Sequence, residues 1–370
     1  NAAYEASGLI LRAWMVSNLT DMYGDIPFSE ALRGKEDVFQ PQYDRQADIY
    51  QSILSDLDEA IVLLEQGGQI DGDIMYGGNL TKWTQLARCL QLRYLLRLEK
   101  KWGEMNINGA SEMQRIYDGG QWFASNADNA AISYLEGSNR WPLHTFRIGS
   151  FDEKRMSERI EQVLKDFNDP RMPILFRPVD NPDSDEFLGI PNGLSEDAAS
   201  NFNGGANNQS RLGTRFREEP AAVEMIIMHH AELMFILAEA QEKGYINTGQ
   251  TVEELFKAGI ESNLDYYGVS EEDKTDFLSQ DELRLDGNDN LEKILTQKWL
   301  SLFMVGNEAW NNYKRTNLPP LTPGPDAVIN ELPSRVFYPA DEQVRNTQSY
   351  QDVIERQGPD EITTRPWLLQ

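Results

Sequence analysis

Apolar residues recur at helical spacing over most of the chain. In residues 46–65, Ile49, Ile53, Leu57, Ile61 and Leu64 follow at intervals of four, four, four and three, which lines one face of a helix. Asp44 is placed to cap that helix and Gly67-Gly68 to end it. Residues 2–22 predict another, with Leu9, Leu11, Trp14, Met15, Val16 and Leu19 supplying apolar bulk, stopped by Tyr23-Gly24-Asp25-Ile26-Pro27. Residues 80–101 predict a third, with Trp83, Leu86, Ala87, Leu90, Tyr94 and Leu98 on one stripe and Lys100 and Lys101 suited to the negative end of the helix dipole. Further helices are predicted over about 153–167, 219–243, 251–267, 289–305 and 308–315. Tyr43, Tyr50, Trp83, Tyr94 and Trp299 fall on apolar stripes and are expected in the core.

Long helices joined by short Gly-bearing turns imply packed pairs, as in a tetratricopeptide-like solenoid, although the strict repeat consensus is absent. Strand signals are few, with 131–134 a short candidate, and strand and helix do not alternate. The fold class expected is therefore all-α (mainly). Residues 124–150 and 178–218 hold no sustained period, and the second stretch carries Asn-Pro, Pro-Asn-Gly and Asn-Gly-Gly. Loops this long inside a domain are usually functional or disordered. The organisation expected is one domain over 1–370. Residues 1–123 and 219–315 form its helical scaffold, 124–218 a loop-rich ligand-binding subregion, and 316–370 a C-terminal extended segment.

The charge balance narrows the partners. Lys plus Arg is 34 and Asp plus Glu is 60, a net of −26. Such a surface repels phosphate backbones and anionic headgroups, so nucleic-acid binding and electrostatic membrane docking are excluded as first readings. With one cysteine, Cys89, the chain can form neither an internal disulfide nor a Cys-rich zinc site. No apolar run approaches the ~20 residues that span a bilayer. The sequence opens at Asn1 inside a predicted helix, without Met or a signal segment, and is read as a processed product.

Few catalytic or metal motifs are present. There is no GxGxxG after a strand, no P-loop and no Gly-x-Ser-x-Gly elbow. His229 and His230 are adjacent and so point to different helix faces, as a packed pair would. Asp286-Gly287-Asn288-Asp289-Asn290 starts like a calcium loop but has Leu291 where Gly is required and Gln297 where a bidentate Glu belongs. Asp71-Gly72-Asp73 is read as a solvated turn. No cofactor is expected. Paired carboxylates for glycoside hydrolysis arise by chance among 60 acids, which leaves an all-helical glycoside hydrolase as an alternative.

The positive signal is aromatic rings within irregular chain. Trp122 follows Asp118-Gly119-Gly120-Gln121; Trp141 follows Asn139 and Arg140 and precedes Pro142; Phe202 adjoins Asn203; Phe216 lies between two arginines. An indole face stacks on the C–H face of a sugar while amides and guanidinium groups bind hydroxyls, a mixture suited to neutral polar ligands. Trp141, Asn139, Arg140, Phe202, Asn203, Phe216 and Trp122 are therefore the candidate ligand-binding residues. Each ring could instead anchor its loop to the helices.

An ordered set of fragments resembles the SusD/RagB family of outer-membrane nutrient-binding lipoproteins. They are Leu19-Thr20-Asp21-Met22-Tyr23-Gly24-Asp25-Ile26-Pro27-Phe28, Tyr43-Asp44, Leu57-Asp58-Glu59-Ala60, Gly78-Asn79-Leu80-Thr81-Lys82-Trp83, Leu92-Arg93, Ala238-Glu239-Ala240, Gln297-Lys298-Trp299, Glu308-Ala309-Trp310, Lys314-Arg315-Thr316, Pro333-Ser334-Arg335 and Tyr338-Pro339. The resemblance spans about residues 15–345. It implies tetratricopeptide-like helix pairs with a loop-rich ligand face, and a cell-surface protein held in the outer membrane by an N-terminal lipid outside this chain. It also implies an oligosaccharide or, in some members, a peptide as ligand, a SusC-like TonB-dependent transporter as partner, and no catalysis. A peptide- or protein-binding helical module is the second reading. The resemblance carries no ligand-contact residue onto 124–218.

Overall fold

The computed structural model describes residues 1–370, the side chain of Ile148 excepted. Four helices open the chain: α1 (Ala2–Tyr23), α2 (Gln46–Glu65), α3 (Leu80–Arg97) and α4 (Gly109–Asp118). β1 (Ala130–Ser133), α5 (Glu158–Asp166), β2 (Phe176–Arg177) and β3 (Arg211–Leu212) occupy the irregular middle, together with several single-turn helices. β4 (Glu224–Met228) leads into α6 (His230–Glu242), α7 (Val252–Tyr267), α8 (Glu271–Leu278), α9 (Asn290–Ser301) and α10 (Gly306–Thr316). α11 (Ala340–Arg345) and α12 (Thr347–Gln357) follow. α1 packs on α2, α2 on α3, α6 on α7 and α9, and α3 bridges the two groups by also touching α4 and α6. The frame is the mainly α-helical, tetratricopeptide-like one.

Local chemistry sets the ends of these helices. The Asn79, Asn108, Ser157 and Ser270 side chains accept the first free N–H groups of α3, α4, α5 and α8. α7 has a full capping box, Thr251 with Glu254, and stops at Gly268 in a left-handed conformation. Gly24 ends α1 at φ 85°, a left-handed conformation that favours glycine, and the end of the Gln357 side chain fills the space where a Cβ would sit.

Several expected boundaries are corrected. The helix predicted over 219–243 is strand β4 followed by α6. Met225-Ile226-Ile227-Met228 pairs antiparallel with β1 through a bulge at Ala130/Ala131, and the His229 side chain then caps α6. The helix of 153–167 starts only at Glu158, because Arg155 and Ser157 are held in extended bridges to Arg211 and Ile190. The helices of 80–101 and 289–305 end at Arg97 and Ser301, and that of 308–315 runs from Gly306 to Thr316. Asp44 does not cap α2; its carboxylate accepts from the Phe28 and Ser29 N–H groups instead. Residues 316–370, expected to be extended, carry α11 and α12. Tyr350 and Val353 bury against Tyr43 and Tyr338, which gives that segment a helical apolar face.

The frame also carries a buried ionic network. Arg93 and Arg97 are one turn apart on α3. Arg93 clasps both oxygens of Glu232 at 2.7 and 2.6 Å and donates to the Ile227 carbonyl. Arg97 lies between Asp21 and Glu308. Arg315 binds Glu239 at 2.5 and 2.7 Å and also reaches Glu99. Burial alone raises the Glu239 carboxyl, but Arg315, Lys298 and Lys243 together hold it well below the usual carboxylate range. Removing one partner from such a group costs about 3–5 kcal/mol, since a charge is left buried alone.

Candidate functional site

A cavity of about 270 Å³ opens where α1, β4 and the start of α10 meet. Trp14 and Asn18 come from α1, Arg93 from α3, Glu224–Ile227 from β4, Tyr134 and Trp141 from the chain after β1, and Met304–Glu308 from the entry to α10. The β1–β4 ribbon places the ring-bearing wall. It brings Ser133 opposite Glu224, joined by a 2.7 Å hydrogen bond, so the next residue, Tyr134, is delivered to the rim. Trp141 is pinned by its backbone N–H, 2.7 Å from the Pro220 carbonyl, and its ring meets Tyr134 edge-on at 5.4 Å between centroids. The Trp141 indole N–H is buried and, among the described residues, has no acceptor. An unused donor beside two rings invites a ligand oxygen.

The opposite wall is charged but compensated. Burial opposes the charge on Arg93, yet Glu232 and Glu308 outweigh it, so the guanidinium stays protonated. Burial would raise the Glu308 carboxyl, but Arg97 and Arg93 bring it down to about 2. A general acid for glycoside cleavage needs the reverse, a carboxyl raised toward neutrality. Glu308 is thus held as an anchor of the cavity wall by Arg97 and Arg93. Among the described residues no cluster of three or more His, Cys, Asp or Glu is placed to hold a metal ion. The Asp73 carboxylate is spent on the Met75, Tyr76 and Gly78 N–H groups and on the Trp83 indole.

The seven candidate residues do not form one site. Trp141 lines the cavity; Asn139 and Arg140 are exposed on the turn before it and line none of the cavities described. Phe202 and Asn203 sit on a separate turn, where Asn203 adopts φ 55° and Gln209 binds the Phe202 carbonyl. Trp122 stacks on Tyr117 at 5.5 Å and donates to its carbonyl, so this ring anchors its loop to α4. Phe216 is fully buried beside Phe303, which removes it from any ligand surface. Trp14 and Tyr134 are cavity-lining rings that sequence reasoning did not single out. Trp14 was hidden in an apolar helix. The signal for it is that α1 is apolar on more than one face, with Met15 and Leu19 exposed. Two larger cavities, of about 480 and 450 Å³, have no Trp or Tyr in their walls.

The helical frame thus carries a cavity lined by Trp14, Tyr134 and Trp141. The chain belongs to the SusD-like family: the family profile, described as starch-binding associating with outer membrane, matches residues 1–339. A SusD homolog from Bacteroides fragilis is 27% identical, with 100% of this chain and 84% of that one covered and a TM-score of 0.89. A chitin-binding protein is 26% identical over 99% of this chain and 80% of its own, with a TM-score of 0.85. A chitin-binding SusD homolog from Flavobacterium johnsoniae, 24% identical over 99% of this chain and 80% of its own, has a TM-score of 0.83 and bears on the fold alone. No curated relative matches the chain. The family is one of outer-membrane nutrient-binding proteins, and its members are in general not enzymes. Among the described residues no helix is long and apolar enough to cross a membrane.

Proposed function

We propose that the protein captures an oligosaccharide at the cell surface in the Trp14–Tyr134–Trp141 cavity, without chemistry. The observation that carries this is the Tyr134–Trp141 ring pair with its unpaired indole N–H, set in one cavity with Trp14 from α1. Asn18, Glu224 and Asn307 supply polar contacts for hydroxyls in the same walls. Family membership and the chitin-binding neighbour support a glycan over a peptide. Attachment by an N-terminal lipid and delivery to a SusC-like TonB-dependent transporter complete the proposal; family membership supports both, and co-purification with the barrel tests the second.

Titration calorimetry with maltooligosaccharides and chitooligosaccharides tests the capture. A shallow open site should bind at about 10 μM to 1 mM, on the order of −4 to −7 kcal/mol. Affinity should vary little with salt, since stacking on a neutral sugar releases no counterions. Undiminished binding in a Trp14→Ala, Trp141→Ala double variant would displace the site, and sustained release of reducing ends would overturn the non-catalytic reading.

A further inference from the structure

α10 has a second cavity at its other end. It measures about 140 Å³ and is walled by Arg97 at the end of α3 and Lys100 just after it, by Tyr313, Lys314, Arg315 and Asn317 at the end of α10, by 331–334, and by Arg365, Leu368 and Leu369. Five cationic side chains thus face one acid, Glu331, in a chain whose net charge is −26. Two of the five are spoken for: Arg97 lies between Asp21 and Glu308, and Arg315 between Glu239 and Glu99. The other three are not. Among the described residues, Lys100, Lys314 and Arg365 have no carboxylate oxygen within 4.0 Å.

Lys314 is the most informative of these. Its ammonium donates to the Asp21 carbonyl and sits 3.8 Å from the Trp310 ring centroid, which leaves one N–H without a described acceptor. Burial brings this amine down to about 8, with Asp21 opposing the shift and Arg97 adding to it. The bland account is that cations gather at helix C-termini, and α3 and α10 both end here. That account covers Lys100, which donates to the Arg315 carbonyl at 3.3 Å. It leaves Arg365, which comes from a non-helical segment across the cavity. Two helix ends offset about one charge between them. With Glu331 that makes about two against three unpaired cations.

We propose that this cavity binds a small oxyanion, a phosphate or sulfate group, held by Lys100, Lys314 and Arg365. The volume admits such a group with a few waters and is tight for a pyranose ring. Arg365 supplies the planar fork suited to an oxyanion, and Lys100 and Lys314 the point charges. The site is independent of the sugar cavity, which lies at the Gly306 end of the same helix.

Titration calorimetry with inorganic phosphate at constant chloride tests it, together with thermal unfolding of the full chain. Arg365→Gln lies on the surface and should unfold at the wild-type temperature without phosphate. It should bind phosphate about tenfold more weakly, the loss of one charge-assisted hydrogen bond. Arg365→Lys should recover part of that loss. Glucose 6-phosphate distinguishes the source: binding no tighter than inorganic phosphate identifies a free ion, and tighter binding that Arg365→Gln also weakens identifies a sugar-borne group on the same contacts. No saturable heat with phosphate, or equal phosphate affinity in wild type and Arg365→Gln, overturns the proposal.

Discussion

Arg93 and Trp141 line the same cavity, and they are held in opposite ways. Arg93 is buried, bidentate to Glu232 and near Glu308, so its position is determined by charges that cannot be left unpaired. Trp141 is half-buried on a turn, pinned by one backbone hydrogen bond, with its indole N–H unused. Arg93 spends its Nε and Nη2 donors on the frame; Trp141 keeps its donor in reserve. The difference separates a side chain fixed by the frame from one that the frame leaves with a free donor. Frame residues are judged by what their loss does to stability, and loop residues by what it does to affinity.

The strongest way to break that division is at the frame. Glu239→Leu removes the bidentate partner of Arg315, leaving it Glu99 alone, and strands the buried Lys298; it should cost about 3–5 kcal/mol in urea unfolding, with unchanged glycan affinity in the folded fraction. A cost below about 1 kcal/mol would mean that the ionic core is not what distinguishes the frame.

His230, at the junction of β4 and α6, sharpens the boundary. Burial first, and His229 second, lower its imidazole from 6.5 to about 4 against the pull of Asp128. Between those values the unfolded chain binds the proton and the folded one does not. Its contribution is therefore complete above about pH 6.5 and is lost as pH falls toward 4, on the order of 3 kcal/mol. Denaturant midpoints of His230→Asn across that range should lack this component of the slope.

The loop wall should behave in the opposite sense. Trp141→Ala should weaken oligosaccharide binding at least tenfold, about 1.4 kcal/mol, while lowering the unfolding free energy by a similar or smaller amount. The smallest effect is expected from Asn139→Ala with Arg140→Ala, both exposed and outside the cavity. Affinity and stability should each move by less than about 0.5 kcal/mol. A larger loss of affinity would extend the site onto that turn.

This division also explains what could be read in advance. The family-like fragments hold Asp21, Arg93, Glu239, Glu308 and Arg315, which are members of the buried network, so the resemblance reported the frame. α2 and α7 were legible because one apolar face decides them. β4 was not, since Met225-Ile226-Ile227-Met228 joins an apolar helix without a break, and only pairing with β1 makes it a strand. Trp141 stood out beside Pro142, but Phe216 looked the same in sequence and proved to be core. Whether a loop ring faces in or out depends on what packs over it, and no local period records that.

The Gly24 turn has a consequence for how the chain is made. Asp25 accepts from Gln46 nearby, but also from Arg356, while Gln357 closes on the Asp25 N–H and the Tyr23 carbonyl. These partners emerge from the ribosome more than 300 residues apart. These polar groups of the first helix hairpin therefore stay open to water until Arg356 and Gln357 have been synthesised.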